Sequence, residues 1–463
     1  MSLDTTLEKT PPVRLDGEPA GALDAHTLDG LQAAFRADPS YRLAQNAVTR
    51  NNVDDIALNH RVVFEVDHSF STALDDWGVT DQKQTGRCWM FAGLNLLRFS
   101  ARRVLGVKEF EFSQNYVMFW DKLERANYFF EAIIESADRD VDDRSVAFLL
   151  DQPLSDGGQW NMFISLVKKH GLVPKALMPE TNSSSSSRRM NAVVRNKLRE
   201  GARQLRQLHA RGASLSSLRS TKAEYLETIS RILNIHLGTP PERFVWQWRT
   251  SSGEFQRAGE LTPSEFAARF VDLPLDDYVC LVHDPRPANP YGRTYTVQYL
   301  GNVVGGRQVV YLNIEMPLMK DIARRVLEDG EPVWFGCDVG KQMRRDLGLM
   351  DRDLYDLGAV YGTRFDRMDK AARLEYGETQ MTHAMLFTGV DVLDGATRRW
   401  RVENSWGSEP GQKGFFTMND SWFDEYMFEI AARRSYLPAE LQSALEQEPK
   451  LLPPWDPMGA LAA

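Results

Sequence analysis

The sequence has little of what marks a disulfide-rich, metal-binding or membrane-spanning protein. Its 463 residues include only three cysteines, Cys88, Cys280 and Cys337, which are too few and too widely spaced for a disulfide framework. There is no CxxC pair and no Cys/His cluster with the spacing of a zinc site, so we expect neither a metal nor a cofactor. No run approaches about 18 consecutive apolar residues, so we expect no membrane partner.

The sequence also lacks an excess of positive charge. It has 55 Lys and Arg against 64 Asp and Glu, for a net charge of −9. A nucleic-acid-binding surface needs a basic face, so we do not expect a nucleic-acid partner. The N-terminal stretch has no apolar core and no cleavage signal, and the few cysteines suit a reducing compartment, so we expect a cytoplasmic protein.

What is present is a helical first half and a strand-rich second half. Residues 1–26 are polar and contain three prolines, which indicates a flexible N-terminal extension. Residues 27–240 have mainly helical apolar spacing, and residues 241–450 have short β-type runs separated by Pro, Gly and Asp. The pattern predicts an α+β protein with a cleft between two lobes, followed by a C-terminal segment, residues 451–463.

Some local patterns carry their own structural expectations. Residues 61–70, RVVFEVDHSF, are rich in β-branched and aromatic side chains and are predicted to form a strand. Ser183–Ser187, followed by two arginines, is a low-complexity tract for which we expect a surface loop. Cys280 and Cys337 lie in β-type apolar runs and are expected in the core.

Cys88 is placed differently from the other two cysteines. It follows a Gly-Arg pair and opens an amphipathic run, so it is predicted to lie in the first turn of a helix. A helix N-terminus favours negative charge, which lowers the pKa of a thiol and makes it a better nucleophile. The alternative is a small buried hydrophobic residue, the commoner state of a free cysteine.

A cysteine nucleophile needs a base, and His383 is the best placed of the eight histidines. It opens the apolar run HAMLFTGVDV at the start of a predicted strand, and the stretch RVENSWG follows about twenty residues later. In that stretch Asn404 could orient the imidazole, and Trp406 could shield their hydrogen bond from water. Taken singly, His383 could be a structural strand histidine and Asn404 a turn residue.

Together these stretches resemble a known family. QKQTGRCWMF, THAMLFTGV and ENSWG, in this order, are similar to the Gln, Cys, His and Asn boxes of papain-like cysteine peptidases, with Gln82 six residues before Cys88. Thr85 stands where the papain box has its first cysteine, which fits a cytosolic relative. The segments FWDKLERANYF, DGGQWNMF, HGLVPKALMPET, EPVWFGCDVGK and LPPWDPMGALAA resemble the bleomycin hydrolase and bacterial aminopeptidase C branch, and the likeness runs from about Leu28 to the end of the chain.

The resemblance implies a papain-like two-lobed fold with large helical insertions. Cys88 would open a helix in the helical lobe, and His383 and Asn404 would lie in the β-rich lobe. Cys88, as the thiolate of a Cys–His ion pair, would attack a peptide carbonyl and form a thioester, and His383 would then protonate the leaving amine. Gln82 would donate a hydrogen bond to the developing oxyanion, and Asn404 would orient His383.

The resemblance also implies how a peptide is held. Gly157 and Gly158 would let the substrate backbone approach closely, although the pair could also be a turn before a helix. Trp406 would line the site. The C-terminal segment would enter the cleft as an arm, so that the carboxylate of Ala463 faces the α-amino group of a peptide with a free N-terminus. The family's particles are homohexamers, so we expect self-association.

Three functions stay open from the sequence. The favoured one is a cytosolic aminopeptidase. The second is a cysteine endopeptidase, because the same four catalytic residues serve both activities. The third is a non-catalytic binding or scaffold protein on the same fold, which would be expected if Cys88 or His383 were replaced. The C-terminal arm separates the first two, because an endopeptidase needs an open cleft.

Overall fold

The computed structural model describes residues 21–74 and 77–462. Ala463 and most of the predicted N-terminal extension therefore lie outside the described residues. The chain divides into two compact units. The smaller unit combines the described part of Met1–Arg61 with Tyr355–Arg367, and the larger combines Val62–Leu354 with the described part of Met368–Ala463.

Helices occupy both halves of the chain. In order they are α1 (Ala25–Ala37), α2 (Pro39–Val48), α3 (Val53–Ala57), α4 (His60–Glu65), α5 (Cys88–Leu105), α6 (Gln114–Glu135), α7 (Arg144–Asp151), α8 (Trp160–His170), α9 (Asn182–Ser185), α10 (Arg188–Ala210), α11 (Leu215–Leu237), α12 (Pro263–Phe270), α13 (Met316–Glu328), α14 (Leu357–Tyr361), α15 (Lys370–Glu375), α16 (Asp420–Tyr426) and α17 (Ala439–Ala444). Short 3₁₀ helices span Lys175–Leu177, Leu275–Asp277, Arg434–Tyr436 and Pro457–Ala462. Across residues 21–74 and 77–462, no helix has the length and apolar character needed to cross a membrane.

Most strands follow residue 240. They are β1 (Thr72–Ala73), β2 (Phe244–Arg249), β3 (Phe255–Leu261), β4 (Tyr278–Val282), β5 (Arg293–Val297), β6 (Tyr311–Asn313), β7 (Val333–Cys337), β8 (Met343–Arg344), β9 (Leu349–Met350), β10 (His383–Leu393), β11 (Ala396–Glu403), β12 (Phe415–Asn419), β13 (Met427–Arg433) and β14 (Lys450–Leu452). Strands β2 and β3 form a hairpin of their own. The others form one sheet in the order β14-β5-β6-β4-β13-β7-β10-β11-β12-β9-β8, with β1 beside β10.

The smaller unit is built from short, well-capped helices. Asp24 caps α1 by accepting a hydrogen bond from the Thr27 backbone N–H at 2.6 Å, and Asn52 caps α3 in the same way. No residue of α1 or α2 is buried within the chain, so capping and local packing hold these helices.

The larger unit buries apolar side chains in two clusters. One cluster contains Trp89, Trp160 and Trp334 together with most of α5, and the other contains Trp400 and Trp422. Because α5 is apolar nearly all round, it lies inside the unit rather than on its surface. The Trp334 indole donates to the Trp89 carbonyl at 3.0 Å, which fixes the first turn of α5 against strand β7.

The predicted α+β class is confirmed, and one local prediction is wrong. Residues 61–70 do not form a strand: α4 covers the start of this segment, and only Thr72–Ala73 beyond it joins the sheet. Its apolar residues are adjacent rather than alternating, which suits a short helix better than a half-buried strand. Cys280 and Cys337 are fully buried, as predicted. The lobe boundary near residue 240 stays a prediction.

Candidate active site

Cys88 opens α5, as the sequence predicts. The preceding residue, Arg87, makes no side-chain capping bond to the first turn. Its buried guanidinium instead donates to Glu180 at 2.8 and 3.1 Å. The backbone N–H groups of Cys88, Trp89 and Ala384 face the Cys88 sulfur and favour its thiolate. The sulfur therefore faces N–H donors from two elements, α5 and β10.

Burial acts on the Cys88 thiol in the opposite direction. The residue is 4% exposed, and desolvation raises the pKa of the thiol to about 11 despite the three N–H groups. The helix start therefore acts on the thiol in the expected direction, but burial outweighs its effect on the pKa. The sequence places the sulfur at a helix start but does not show how much protein covers it.

His383 and Asn404 meet at the start of β10 and just after the end of β11. His383 Nε2 donates to Asn404 Oδ1 at 3.0 Å, which leaves Nδ1 as the other ring nitrogen. The same Asn404 oxygen accepts from the Ser405 backbone N–H at 2.8 Å, so two donors fix the position of this oxygen. Burial lowers the pKa of His383 to about 4, although the Asn404 bond opposes this shift. Burial therefore disfavours the charged forms of both the imidazole and the Cys88 thiol.

Trp406 covers this pair. Its ring lies 5.0 Å from the imidazole of His383, centroid to centroid, at an angle of 36°. Phe416 packs edge-on against the other part of the indole at 5.9 Å. Both His383 and Asn404 are almost fully buried, which matches the shielding role that the sequence suggests for Trp406.

Gln82 is fixed to the same element as Asn404. Its backbone N–H donates to the Ser405 carbonyl at 2.8 Å, and its side-chain oxygen accepts from the Ser405 hydroxyl at 2.6 Å. Its side-chain nitrogen donates one hydrogen to the Thr85 carbonyl at 2.6 Å, which leaves the second hydrogen for another acceptor. Ser405 therefore joins the oxyanion candidate to the residue that orients His383.

Asp156 ties the Cys88 loop to the glycine pair. Its carboxylate accepts from Lys122 at 2.7 Å, from Asn191 at 2.8 Å and from the Gly86 backbone N–H at 3.4 Å. Its backbone carbonyl accepts from the Trp89 indole at 2.7 Å. The Lys122 charge and these hydrogen bonds hold the pKa of Asp156 well below its usual range, against the effect of burial.

The serine tract belongs to this wall, so the expected surface loop is wrong. Ser184 is fully buried and donates to Glu180 at 2.7 Å, and Ser187 is buried and donates to the Asp156 carboxylate. The Ser185 carbonyl accepts from the Gln84 backbone N–H at 3.0 Å. Small hydroxyl side chains are used here because they satisfy buried carboxylates without filling the cleft.

The described part of the C-terminal arm, residues 451–462, lies along the glycine pair. The Gly158 backbone N–H donates to the Leu461 carbonyl at 3.0 Å, and the Ser155 hydroxyl donates to the Ala462 carbonyl at 2.6 Å. A Cβ at Gly157 would overlap the Leu461 carbonyl, and one at Gly158 would overlap the Trp89 ring. Both glycines are therefore needed for the close approach of the arm and of α5.

Two further contacts hold the arm at its base. Arg286 donates to Asp456 at 2.9 and 3.1 Å and to Asp284 at 2.7 and 2.9 Å, so one guanidinium joins two carboxylates. The Tyr311 hydroxyl donates to the Met458 carbonyl at 3.0 Å. Arg286 side-chain exposure is 11%, and the two carboxylates raise the pKa of its guanidinium far above the usual range.

The structure joins the predicted residues in part: His383 contacts Asn404 and Trp406, Gln82 is bonded to Ser405, and the backbone N–H of Ala384, next to His383, faces the Cys88 sulfur. Ala463 lies outside the described part, and the catalytic roles stay predictions. Sequence reasoning missed the supporting residues Asp156, Ser405 and Arg286. The first two lie inside the stretches DGGQW and ENSWG that carry the family likeness, so their position was the available signal. Nothing in the sequence around Arg286 points to the arm.

Within residues 21–74 and 77–462, no group of three or more His, Cys, Asp or Glu side chains could hold a metal ion.

The chain is similar to known peptidases over nearly its whole length. A family model described as the peptidase C1-like family matches residues 22–459. Human bleomycin hydrolase is 43% identical over 452 residues, covering 96% of this chain and 99% of that protein. Aminopeptidase C of Listeria monocytogenes is 42% identical over 435 residues, covering 94% and 98%. The crystal structure of PepW from Lactobacillus rhamnosis superposes with a TM-score of 0.93 at 43% identity, covering 95% and 99%.

Proposed function

The chain belongs to the peptidase C1-like family, in its bleomycin hydrolase and aminopeptidase C branch, and is a cysteine aminopeptidase. From this premise we propose that it removes N-terminal residues from peptides through Cys88, His383 and Asn404. We propose in addition that the C-terminal arm sets the cleavage position. The arm lying against Gly157 and Gly158, beside the turn that carries Cys88, is the observation that most supports this proposal.

The first step forms the thioester. The Cys88 thiol gives its proton to His383 Nδ1, and the sulfur bonds to the carbonyl carbon of the first peptide bond. Creating both charges together costs less than creating either alone, because each stabilises the other in the buried site. His383 then gives that proton to the departing amine as the C–N bond breaks. A water next loses a proton to His383 and attacks the thioester, which releases the amino acid and restores the thiol.

The negative oxygen formed in both steps needs donors. The second side-chain hydrogen of Gln82 and the backbone N–H of Cys88 are the two that we assign to it. Ser405 keeps the Gln82 amide in one orientation. Its carbonyl accepts from the Gln82 backbone N–H, and its hydroxyl donates to the Gln82 side-chain oxygen. Because these donors are already in place, the site does not have to reorganise as the charge develops.

The arm limits the space on the acyl side of Cys88. Its carbonyls accept hydrogen bonds from the Gly158 N–H and the Ser155 hydroxyl. We propose that a longer extended peptide would need these two donors for its own backbone. This occupancy favours an aminopeptidase over an endopeptidase, because a longer N-terminal stretch of substrate has no room. We propose that the carboxylate of Ala463 binds the substrate ammonium, as the family resemblance implies.

Cytoplasmic location and a homohexamer are also part of this proposal, on the same family resemblance. Sedimentation of the purified protein should give a mass near six chains. A monomer at micromolar concentration would contradict the assembly but not the chemistry.

The central experiment is mass spectrometry of a mixed peptide digest incubated with the full-length protein, a Cys88→Ala variant and a variant ending at Ala460. We expect stepwise loss of N-terminal residues with the full-length protein and no change with Cys88→Ala. The truncated variant should instead yield internal cleavages, because the arm no longer fills the cleft. Internal cleavage by the full-length protein would overturn the aminopeptidase register, and an active Cys88→Ala variant would overturn the nucleophile.

A further inference from the structure

A cationic side chain lies close to the tryptophan that covers the catalytic histidine. Arg345 is the first residue of the turn between β8 and β9, and its guanidinium carbon lies 5.0 Å from the centre of the Trp406 ring. Trp406 in turn lies 5.0 Å from the His383 imidazole, centre to centre. The guanidinium and the imidazole of the catalytic base therefore both contact the same indole ring.

The leaving half of a substrate has to pass this place. The N-terminal residue of the peptide lies between Cys88 and the arm, because the arm covers the Gly157 and Gly158 side. The departing amine takes its proton from His383, so the rest of the peptide continues past His383 in the opposite direction. Trp406, stacked on that imidazole, is the surface that it meets.

The turn that carries Arg345 is fixed. The Gly348 backbone N–H donates to the Arg345 carbonyl at 3.2 Å, and the Gly411 backbone N–H donates to the Asp346 carbonyl at 3.3 Å. A Cβ at Gly348 would overlap the Cα of Gly411, and Gly348 has a φ of +64°, so no other residue would fit there without strain. The backbone of the turn is therefore held against the loop that follows Trp406.

The charge of Arg345 is unused. The neighbouring Arg344 donates to Asp346 at 2.6 Å. Arg345 has no carboxylate within 4.0 Å among the residues that the structure describes, and its side chain is exposed. Stacking on an indole orients a guanidinium while leaving its N–H groups free to bind an anion.

We propose that Arg345 is a specificity residue that binds a carboxylate on the leaving side of the substrate. We assign this carboxylate to the C-terminus of a tripeptide, or to an acidic side chain at the same position, because two residues of extended chain carry it about 7 Å beyond the scissile bond. The preferred substrates are short peptides with a free C-terminus. This inference rests on the proposed function, because the direction of the substrate follows from Cys88, His383 and the arm.

The test compares tripeptides of the same sequence with a free or an amidated C-terminus, using the full-length protein. We expect the ratio of kcat/KM, carboxylate over amide, to exceed one. It should fall by roughly two- to fivefold in Arg345→Gln, the range for an exposed ion pair, and drop below one in Arg345→Glu. The preference of the unchanged protein should also shrink as salt is added. Arg344→Gln is the matched control in the same turn and should keep the ratio.

The outcomes are distinguishable. If Arg345→Gln hydrolyses both peptides with an unchanged ratio, the specificity role is wrong and the proposed function stands. If Arg344→Gln lowers the ratio as much as Arg345→Gln does, general positive charge and not Arg345 reads the carboxylate, and the assignment is wrong. If the unchanged protein releases no N-terminal residue from either peptide, the proposed function itself has failed.

Discussion

Arg286 holds Asp456, at the base of the C-terminal arm, through two hydrogen bonds of 2.9 and 3.1 Å. The same guanidinium donates to Asp284, so the arm is anchored to the residues that follow β4. Asp456 also accepts from the Met458 backbone N–H at 3.0 Å, which starts the terminal 3₁₀ helix. The position of the last residues of the arm therefore depends on an ion pair that is remote in sequence from Cys88.

Replacing Arg286 with Gln should loosen the arm and relax the cleavage position. We expect the rate ratio for free-amine over N-acetylated fluorogenic dipeptides to fall. We also expect the unfolding free energy to fall by about 3–5 kcal/mol, because two buried carboxylates lose their partner. Arg293→Gln, at the exposed first residue of β5, is the control and should change neither quantity. An unchanged ratio in a folded Arg286→Gln protein would mean that the arm keeps its place without this pair.

Iodoacetamide should label Cys88 before the two core thiols in the native protein. Burial raises the pKa of all three thiols, but for Cys88 three backbone N–H groups, two of them at a helix start, oppose this effect. Removing the residues after Ala460 should speed the labelling of Cys88 and leave the others unchanged, because the arm lies over the adjacent turn. Peptide mapping measures all three rates at once. Equal labelling of the three cysteines would count against the site.

Gln82→Ala should reduce kcat by about 10²–10³, the usual effect of losing one oxyanion donor. KM should change little, because the bond forms only as the charge develops. Gln84→Ala is the matched control two residues along the same loop, where only the backbone N–H contacts Ser185. A loss of activity in Gln84→Ala as large as in Gln82→Ala would show that the loop, and not the amide, is being disturbed.

Asn404→Ala should impair turnover less than His383→Ala, because Asn404 orients the base and is not itself the base. Measuring kcat across pH separates the two variants. Asn404→Ala, with a misoriented imidazole, should retain some activity over the whole pH range, whereas His383→Ala, with no imidazole, should not. The assignment would need revision if both variants were folded and equally inactive.

Glu429 should make the protein less stable as pH rises above about 5. It is fully buried in β13, and burial raises its pKa to about 8, although a hydrogen bond from the Cys280 thiol opposes this shift. Below the unfolded pKa near 4.5 both states carry the proton. Between there and pH 8 only the folded state keeps it, so stability falls by up to about 1.4 kcal/mol per pH unit.

Glu429→Gln should remove this loss, because the amide has the same shape and no charge. Urea unfolding at pH 5 and pH 8 is the measurement, with Glu448→Gln on the exposed segment before β14 as the control. A variant whose stability falls with pH as steeply as that of the unchanged protein would show that Glu429 is ionised in the folded state.

Spacing in the sequence was enough to predict the reactive elements. Cys88 at a helix start and His383 at a strand start both follow from where apolar runs begin, and α+β follows from the change of pattern near residue 240. Burial was not predictable in the same way. Cys88 is desolvated because α5 lies inside the larger unit, and Ser187 is buried because its hydroxyl meets the Asp156 carboxylate, which is distant in sequence.

The segment from Ser155 to Gly158 contacts two different parts of the molecule. Ser155 and Gly157 are directed at the arm, whereas Asp156 and Gly158 are directed at the Gly86 loop and the Trp89 ring. Gly158 also reaches the arm, because its backbone N–H donates to the Leu461 carbonyl. This short segment therefore contacts the arm, the Gly86 loop and the first turn of α5 at once. Inserting or deleting one residue here would disturb all three contacts together, so we expect the segment to tolerate no change of length.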